Sequence, residues 1–218
     1  MANQLRTALS AAGKTGWAVG NGQLDELRRE GWWLGWETHS TRGHPDDADE
    51  LRPLAKANAH RASLSAVHGA GGQPLHSDGA HLLEPSRWLL LVGTVASAVP
   101  TLLWPFDADA VDGQVGDALR EGLFTVVNGR TSFLAPALAG TILRFDPGCM
   151  RPSDGRAMIA AEFLTTRRAT ALKHAWTNPN TFLLVDNHRV LHARADATSE
   201  PNRLLHRITF DLPVGVKR

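Results

Sequence analysis

The chain has 218 residues and a mass of 23.6 kDa, the usual size of one globular domain with room for a sizeable core. Its 43% hydrophobic and 21% charged residues exclude disordered and fibrous classes. Lys and Arg total 23 against 22 Asp and Glu, with no long run of like charge, so neither nucleic acid nor a membrane surface is an expected partner. A single domain spanning residues 1–218 is expected.

The first 16 residues lack the continuous apolar stretch of a signal peptide. Asp25 to Glu30 follows Asn21-Gly22 and reads as a surface helix, as does Asp49 to His60, which starts acidic and ends basic. Trp32, Trp33 and Trp36 are expected as core or interface anchors. From Arg87 the chain turns to short β-prone runs: Trp88–Val95, Leu123–Val127, Thr141–Phe145, Phe182–Val185 and Leu205–Leu212. Ser153 to Ala175 reads as one long helix, capped by Ser153 or Asp154 and stopped at Asn178-Pro179-Asn180. Many short strands with few helices between them fit a mainly β fold, a sandwich or curled barrel with helices outside. The longest strongly apolar run, Trp88 to Val92, is far short of the roughly 20 residues that span a bilayer. Cys149 stands alone and makes no internal disulfide, which fits a reducing, cytoplasmic setting.

Two His-x-Asp tripeptides occur, and in an extended segment each places an imidazole and a carboxylate on one face. His44-Pro45-Asp46 sits in a polar, proline-broken stretch and reads as a solvated turn. His76-Ser77-Asp78 follows the turn-like Gly69-Ala70-Gly71-Gly72 and precedes the most hydrophobic strand, where a polar pair needs a reason. At the other end, Phe182–Val185 runs into a dense polar cluster from Asp186 to Arg194, the pattern of a site at the mouth of a β-structure. There His192 is the inward residue of choice and His188 a rim or hydrogen-bonding residue. Asp186 and Asn187 are expected to shape the turn before His192. Farther on, residues 203, 205 and 207 of a strand share one face, so Arg203 and Arg207 enter the same interior and call for an anion or carboxylate. Arg207 has an alternative as a structural ion pair with Asp211 or Glu162.

With these residues in place, the chain resembles the iron(II)- and 2-oxoglutarate-dependent dioxygenases of the taurine dioxygenase and clavaminate synthase-like family. The resemblance covers roughly residues 65–212 and rests on Pro74-Leu75-His76-Ser77-Asp78, on the segment Leu184 to Arg194, and on Arg203 and Arg207. It implies a double-stranded β-helix (jelly-roll, cupin-like) core. It also implies a facial triad of His76, Asp78 and His192 on iron(II) that leaves three adjacent coordination positions open. Arg203 then matches the arginine that grips the distal carboxylate of 2-oxoglutarate. Thr101 matches a supporting hydroxyl, with Thr94 a nearby competitor, and Arg207 matches a second arginine for the co-substrate or an acidic substrate group. The implied reaction is oxidative decarboxylation of 2-oxoglutarate by dioxygen, coupled to oxidation of an unactivated C–H bond in a small molecule such as an amino acid or natural-product intermediate. Hydroxylation is the default outcome. Asp78 stands against the halogenating branch, in which a small residue replaces the carboxylate.

For the substrate, Asp146 is assigned to an amine and Arg130 to a carboxylate, with Asn128 and His68 as further pocket groups. His81 flanks the first motif and is expected beside that pocket. Desaturation, cyclisation or epoxidation would use the same site. Two other readings use the same residues: a cupin-like metal isomerase or hydrolase without 2-oxoglutarate, and a non-catalytic carboxylate-binding barrel.

Overall fold

The computed structural model describes residues 3–39, 48–61 and 63–213. In chain order the first elements are α1 (Gln4–Thr15), β1 (Trp17–Asn21), α2 (Leu24–Trp33), β2 (Glu37–His39), β3 (Asp49–Leu51) and α3 (Leu64–His68). Then come β4 (Trp88–Gly93), β5 (Ser97–Pro105), α4 (Gly113–Glu121), β6 (Phe124–Asn128), β7 (Thr131–Ala135), β8 (Leu138–Ala139), β9 (Ile142–Leu143) and β10 (Met150–Pro152). The chain finishes with α5 (Gly155–Thr166), β11 (Leu172–Trp176), β12 (Thr181–Asp186), β13 (Val190–Arg194) and β14 (Leu205–Asp211).

Strands β1, β12, β4, β14 and β2 run in that order in one antiparallel sheet, with β3 also paired to β14. The second sheet, β11-β5-β13, faces it. Between them Leu89, Leu91, Leu183, Val185 and Leu205 of the first sheet meet Leu103, Trp176 and Val190 of the second in a closed apolar layer. This is a jelly-roll core. The alternate residues of β4 and β12, Leu90, Val92, Phe182 and Leu184, face the other way and pack under α1 and α2. Burial on both faces is why these two strands read as unbroken apolar runs rather than as alternation. On the far side of the second sheet, Leu102, Leu191 and Ala193 pack with Leu119 of α4 and Ala157, Ala160 and Leu164 of α5.

Helix α1 buries Leu5, Ala8 and Ala12 at helical spacing. It stops at Gly16, whose φ of 88° is the left-handed cap conformation that lets its N–H reach Ala12 O. Helix α2 carries Asp25 and Glu26 in its first turn, where the dipole favours them. Trp36 packs against Phe210 at 4.8 Å, whereas Trp32 and Trp33 lie on the surface at 69% and 71% exposure. Of the three, Trp36 is therefore the core anchor.

Two expected helices differ. Asp49–His60 is no helix: Asp49–Leu51 is an edge strand on β14, followed by a single 3₁₀ turn at Lys56–Asn58. Pro53 removes a donor and pushes the residue before it out of the helical region. The second helix starts as expected at the cap Asp154, whose Oδ1 accepts from Ala157 N at 2.7 Å, but it ends at Thr166. A 3₁₀ turn follows, and Leu172–Trp176 becomes a strand paired with β5, because burying Trp176 in the inter-sheet layer outweighs the helix propensity of Ala, Leu and Lys. The run Thr141–Phe145 is reduced to the two-residue strand β9.

Candidate metal centre

His192 lies at the middle of β13, directly opposite Leu103, and therefore points into the space between the sheets. The segment carrying His76 pairs with it on the open side of β13 through a one-residue antiparallel bridge. Each histidine donates its backbone N–H to the other's carbonyl at 2.9 Å. Residues opposed in this way project to one face, and the two imidazoles stand with centroids 4.5 Å apart. Two residues on, Asp78 returns to that face, with Oδ2 3.8 Å from His192 Nε2. The intervening Ser77 faces away and is pinned to Phe145 through two backbone-mediated hydrogen bonds, Ser77 N to Phe145 O at 2.7 Å and Phe145 N to Ser77 Oγ at 3.1 Å.

Among the described residues, His76, Asp78 and His192 form the group whose ligand atoms all lie within 4.8 Å of one another. The ring states suit a divalent cation. His76 Nδ1 lies 3.0 Å from Pro74 O, which can only accept, so Nδ1 carries the proton and Nε2 is free to ligate. His192 is held neutral: burial above all, then His76, lowers its pKa to about 3, with Asp78 opposing. Two imidazoles and one carboxylate on one face make the donor set of non-haem iron(II) sites with open coordination positions.

Asn187 anchors the backbone of Asp78 from across the fold. Its Oδ1 accepts from Asp78 N at 2.8 Å, and its Nδ2 donates to Asp78 O at 2.9 Å and Ser86 O at 2.8 Å. Its expected role of shaping its own turn is the smaller part; it holds the loop of the first motif. Asp186 accepts from His188 N at 3.3 Å within that turn and pairs with Arg87 at 2.8 Å. His188 hydrogen-bonds Pro85 O at 2.8 Å and stands outside the ligand group, as expected. Arg144, buried, donates to the carbonyls of Ala80, Leu82 and Leu83 and so stiffens the loop after Asp78.

The two arginines have different surroundings. Arg207 is opposite Leu91 on the inner face of β14; its Nη1 donates to Asp78 Oδ1 at 3.0 Å and its Nη2 to Asp49 Oδ2 at 2.6 Å. Its ion pair is thus with Asp78 and Asp49 rather than Asp211 or Glu162. Burial works against its charge, but the two carboxylates win and raise its pKa. Arg203, two residues before β14, is 5% exposed, and its Nε and Nη2 have no hydrogen-bond partner among the described residues. Burial first, then Arg194, lowers its pKa to about 10. Thr101 is buried on β5 opposite Arg194 and accepts from Trp176 Nε1 at 3.0 Å. Thr94 lies in the turn before β5.

Of the substrate groups, His68 ends α3, half-buried, and Asp146 follows the Phe145 that braces Ser77. Because Phe145 O accepts from Ser77 N, Asp146 lies next to the first motif; burial first lowers the pKa of both His68 and His81, with the Asp146 charge opposing. Asn128 and Arg130 flank the exposed turn between β6 and β7, and no described contact joins them to the ligand group. The tripeptide His44-Pro45-Asp46 lies outside the described residues. Cys149 is a half-buried thiol that burial, with Asp146, pushes up to about 12.

No family model matches the chain, and no curated protein matches it in sequence. Solved structures do match in shape. An asparagine oxygenase in complex with Fe(II), 2S,3S-3-hydroxyasparagine and succinate superposes with a TM-score of 0.66 at 18% identity, covering 95% of this chain and 79% of that one. The non-haem iron oxygenase OrfP in complex with Fe and alpha-ketoglutaric acid gives 0.63 at 18% identity, over 94% and 77%. Its D157A mutant in complex with (3S)-hydroxy-L-Arg gives 0.64 at 19%, over 96% and 79%. The chain has the fold of these oxygenases. No helix among the described residues is long and apolar enough to cross a membrane.

Proposed function

We propose that the protein is an iron(II)- and 2-oxoglutarate-dependent oxygenase that hydroxylates a C–H bond of a small zwitterionic molecule of the amino-acid class. The observation that carries this reading is the pairing of two features in one interior. One is a group of two imidazoles and a carboxylate in which Asp78 and His192 are buried, His76 is half-buried and the His192 ring is held neutral. The other is a buried arginine with two uncommitted N–H positions. A metal suits the first, and a buried guanidinium with N–H groups left unpaired among the described residues calls for an anion.

His76, Asp78 and His192 would hold the metal. Iron(II) bound there would supply the redox chemistry by which 2-oxoglutarate and dioxygen become succinate and carbon dioxide while the substrate C–H becomes C–OH. The protein's own contribution is placement. Asn187 and Arg207 fix Asp78 from the backbone and carboxylate sides. Arg203, with Thr101 beside Arg194, would receive the distal carboxylate of the keto acid. The leucine layer between the sheets keeps water out. Asp146, with His68 and His81 near it, would meet the substrate amine, in line with the hydroxylated amino acids in complex with the asparagine oxygenase and OrfP. A reducing cytoplasm would suit both ferrous iron and the lone Cys149 thiol.

Anaerobic titration with iron(II) and 2-oxoglutarate tests the reading. The expected result is the metal-to-ligand charge-transfer band of a chelated keto acid, lost in His76→Ala and in His192→Ala. A wild-type protein with no band, or a band that survives both substitutions, would overturn it.

A further inference from the structure

The interior beside Arg203 contains more uncommitted polar hydrogen than Arg203 supplies. Trp176 Nε1 donates to Thr101 Oγ1 at 3.0 Å, and both side chains are buried. A hydroxyl that accepts from an indole N–H has its own proton left to give, and no described acceptor takes it. His174, opposite Thr101 on β11, has a buried Nε2 with no partner, and its ring meets the Trp176 indole edge-on at 4.6 Å. The indole spans the two sheets. A Cβ built on Gly93 of β4 would lie 2.7 Å from it and 3.4 Å from Leu205, the residue two positions after Arg203. Glycine at 93 leaves the ring the space to stand between Thr101 and the β14 end that carries Arg203.

We infer that Trp176 is a positioning residue for the co-substrate: by donating to Thr101 Oγ1 it turns that hydroxyl into a committed donor for the distal carboxylate held by Arg203. The inference rests on the proposed use of 2-oxoglutarate. It adds that discrimination in favour of a five-carbon diacid depends on an indole that makes no contact with the acid.

The test compares two keto acids on the anaerobic iron(II) protein, 2-oxoglutarate and 2-oxopentanoate, which lacks the distal carboxylate. Trp176→Phe is expected to weaken 2-oxoglutarate about tenfold, the scale of one hydrogen bond to a charged group, and to leave 2-oxopentanoate within twofold. In a Thr101→Val background the same substitution should change neither, because the hydroxyl it orients is gone. Equal weakening of both acids, or a full effect in the Thr101→Val background, would make Trp176 a packing residue and overturn the inference while the co-substrate reading stands. No charge-transfer band in wild type with either acid would overturn both together. A variant-free check uses zinc(II)-loaded, isotope-labelled protein. The Trp176 indole N–H resonance should move downfield with 2-oxoglutarate, as its acceptor begins to donate, and stay in place with 2-oxopentanoate. An indole resonance indifferent to both acids would also overturn the inference.

Discussion

Replacing Arg203 by Met should make the protein more stable and less able to bind its keto acid. The guanidinium is buried with Nε and Nη2 unpartnered among the described residues, and its pKa falls well below the usual arginine value, to about 10, because burial and the Arg194 charge outweigh Glu200. That fall corresponds to about 3 kcal/mol held against the charged, folded form at neutral pH. Methionine keeps most of the stem and drops the charge; the space left by the guanidinium costs roughly 1 to 2 kcal/mol. A net gain of about 1 to 2 kcal/mol remains, or roughly 3 to 6 °C in melting temperature for a chain of this size. In the other direction, losing two charge-assisted hydrogen bonds at about 1.5 kcal/mol or more each should weaken 2-oxoglutarate at least about a hundredfold. Iron(II) affinity should stay within about threefold, because Arg203 is outside the ligand group. Thermal and denaturant unfolding of the metal-free proteins measures the first effect, and anaerobic titration the other two. A metal-free Arg203→Met protein less stable than wild type, or one losing iron and keto acid in equal measure, would refute the electrostatic argument and make Arg203 a structural residue.

Arg207→Met should act with the opposite sign, destabilising the metal-free protein by about 3 kcal/mol or more in denaturant unfolding, because it strands the Asp78 and Asp49 carboxylates. Asn187→Leu removes the side chain that satisfies Asp78 N, Asp78 O and Ser86 O, and should cost about 2 to 4 kcal/mol together with at least tenfold in iron(II) affinity by competition with a chelator. Acid should destabilise the metal-free protein. His192 titrates at about 3 when folded against 6.5 when exposed, so between those values the unfolded chain binds a proton that the folded one refuses. Unfolding free energy should therefore fall below pH 6.5 by about 1.4 kcal/mol per pH unit from this residue, with no slope from it above 6.5, and His192→Gln should flatten the profile.

The legible parts of the fold were those whose burial writes itself into residue type. Strands β4 and β12 are apolar on both faces, and β14 alternates buried Leu205, Ile208 and Phe210 with polar residues and ends at Asp211. Helix α1 was missed because its buried stripe is one leucine and two alanines, too weak an amphipathic signal to stand out. At 49–60 and 167–175 local propensity points to helix and tertiary pairing overrides it. Asp49–Leu51 is a strand through its register on β14, and Leu172–Trp176 through its register on β5, both contacts made with residues far along the chain. In the site, the two histidines and Asp78 were legible from motif and resemblance. Asn187 was legible as a turn former only, since the groups it satisfies lie 109 and 101 positions away in sequence. No spacing rule reaches that far.

The same limit explains the arginines. In sequence Arg203 and Arg207 are one residue type on one face, four positions apart, and both ask for an anion. The edge strand β3 separates their fates. It places Asp49 directly across the ladder from Arg207, so that the guanidinium is divided between Asp49 and Asp78 before any ligand arrives. A cation already matched by two carboxylates has little left for a third, so Arg207 is better placed to aim Asp78 than to grip a substrate. Arg203 has no such pairing among the described residues; the charges that act on it are Arg194, which adds to its burden, and Glu200, whose carboxylate accepts from Ser97 Oγ and Ala98 N. Among the described residues this leaves one buried guanidinium spoken for and one waiting, and the difference lies in a three-residue strand whose sequence, Asp-Glu-Leu, gives no hint of its partner.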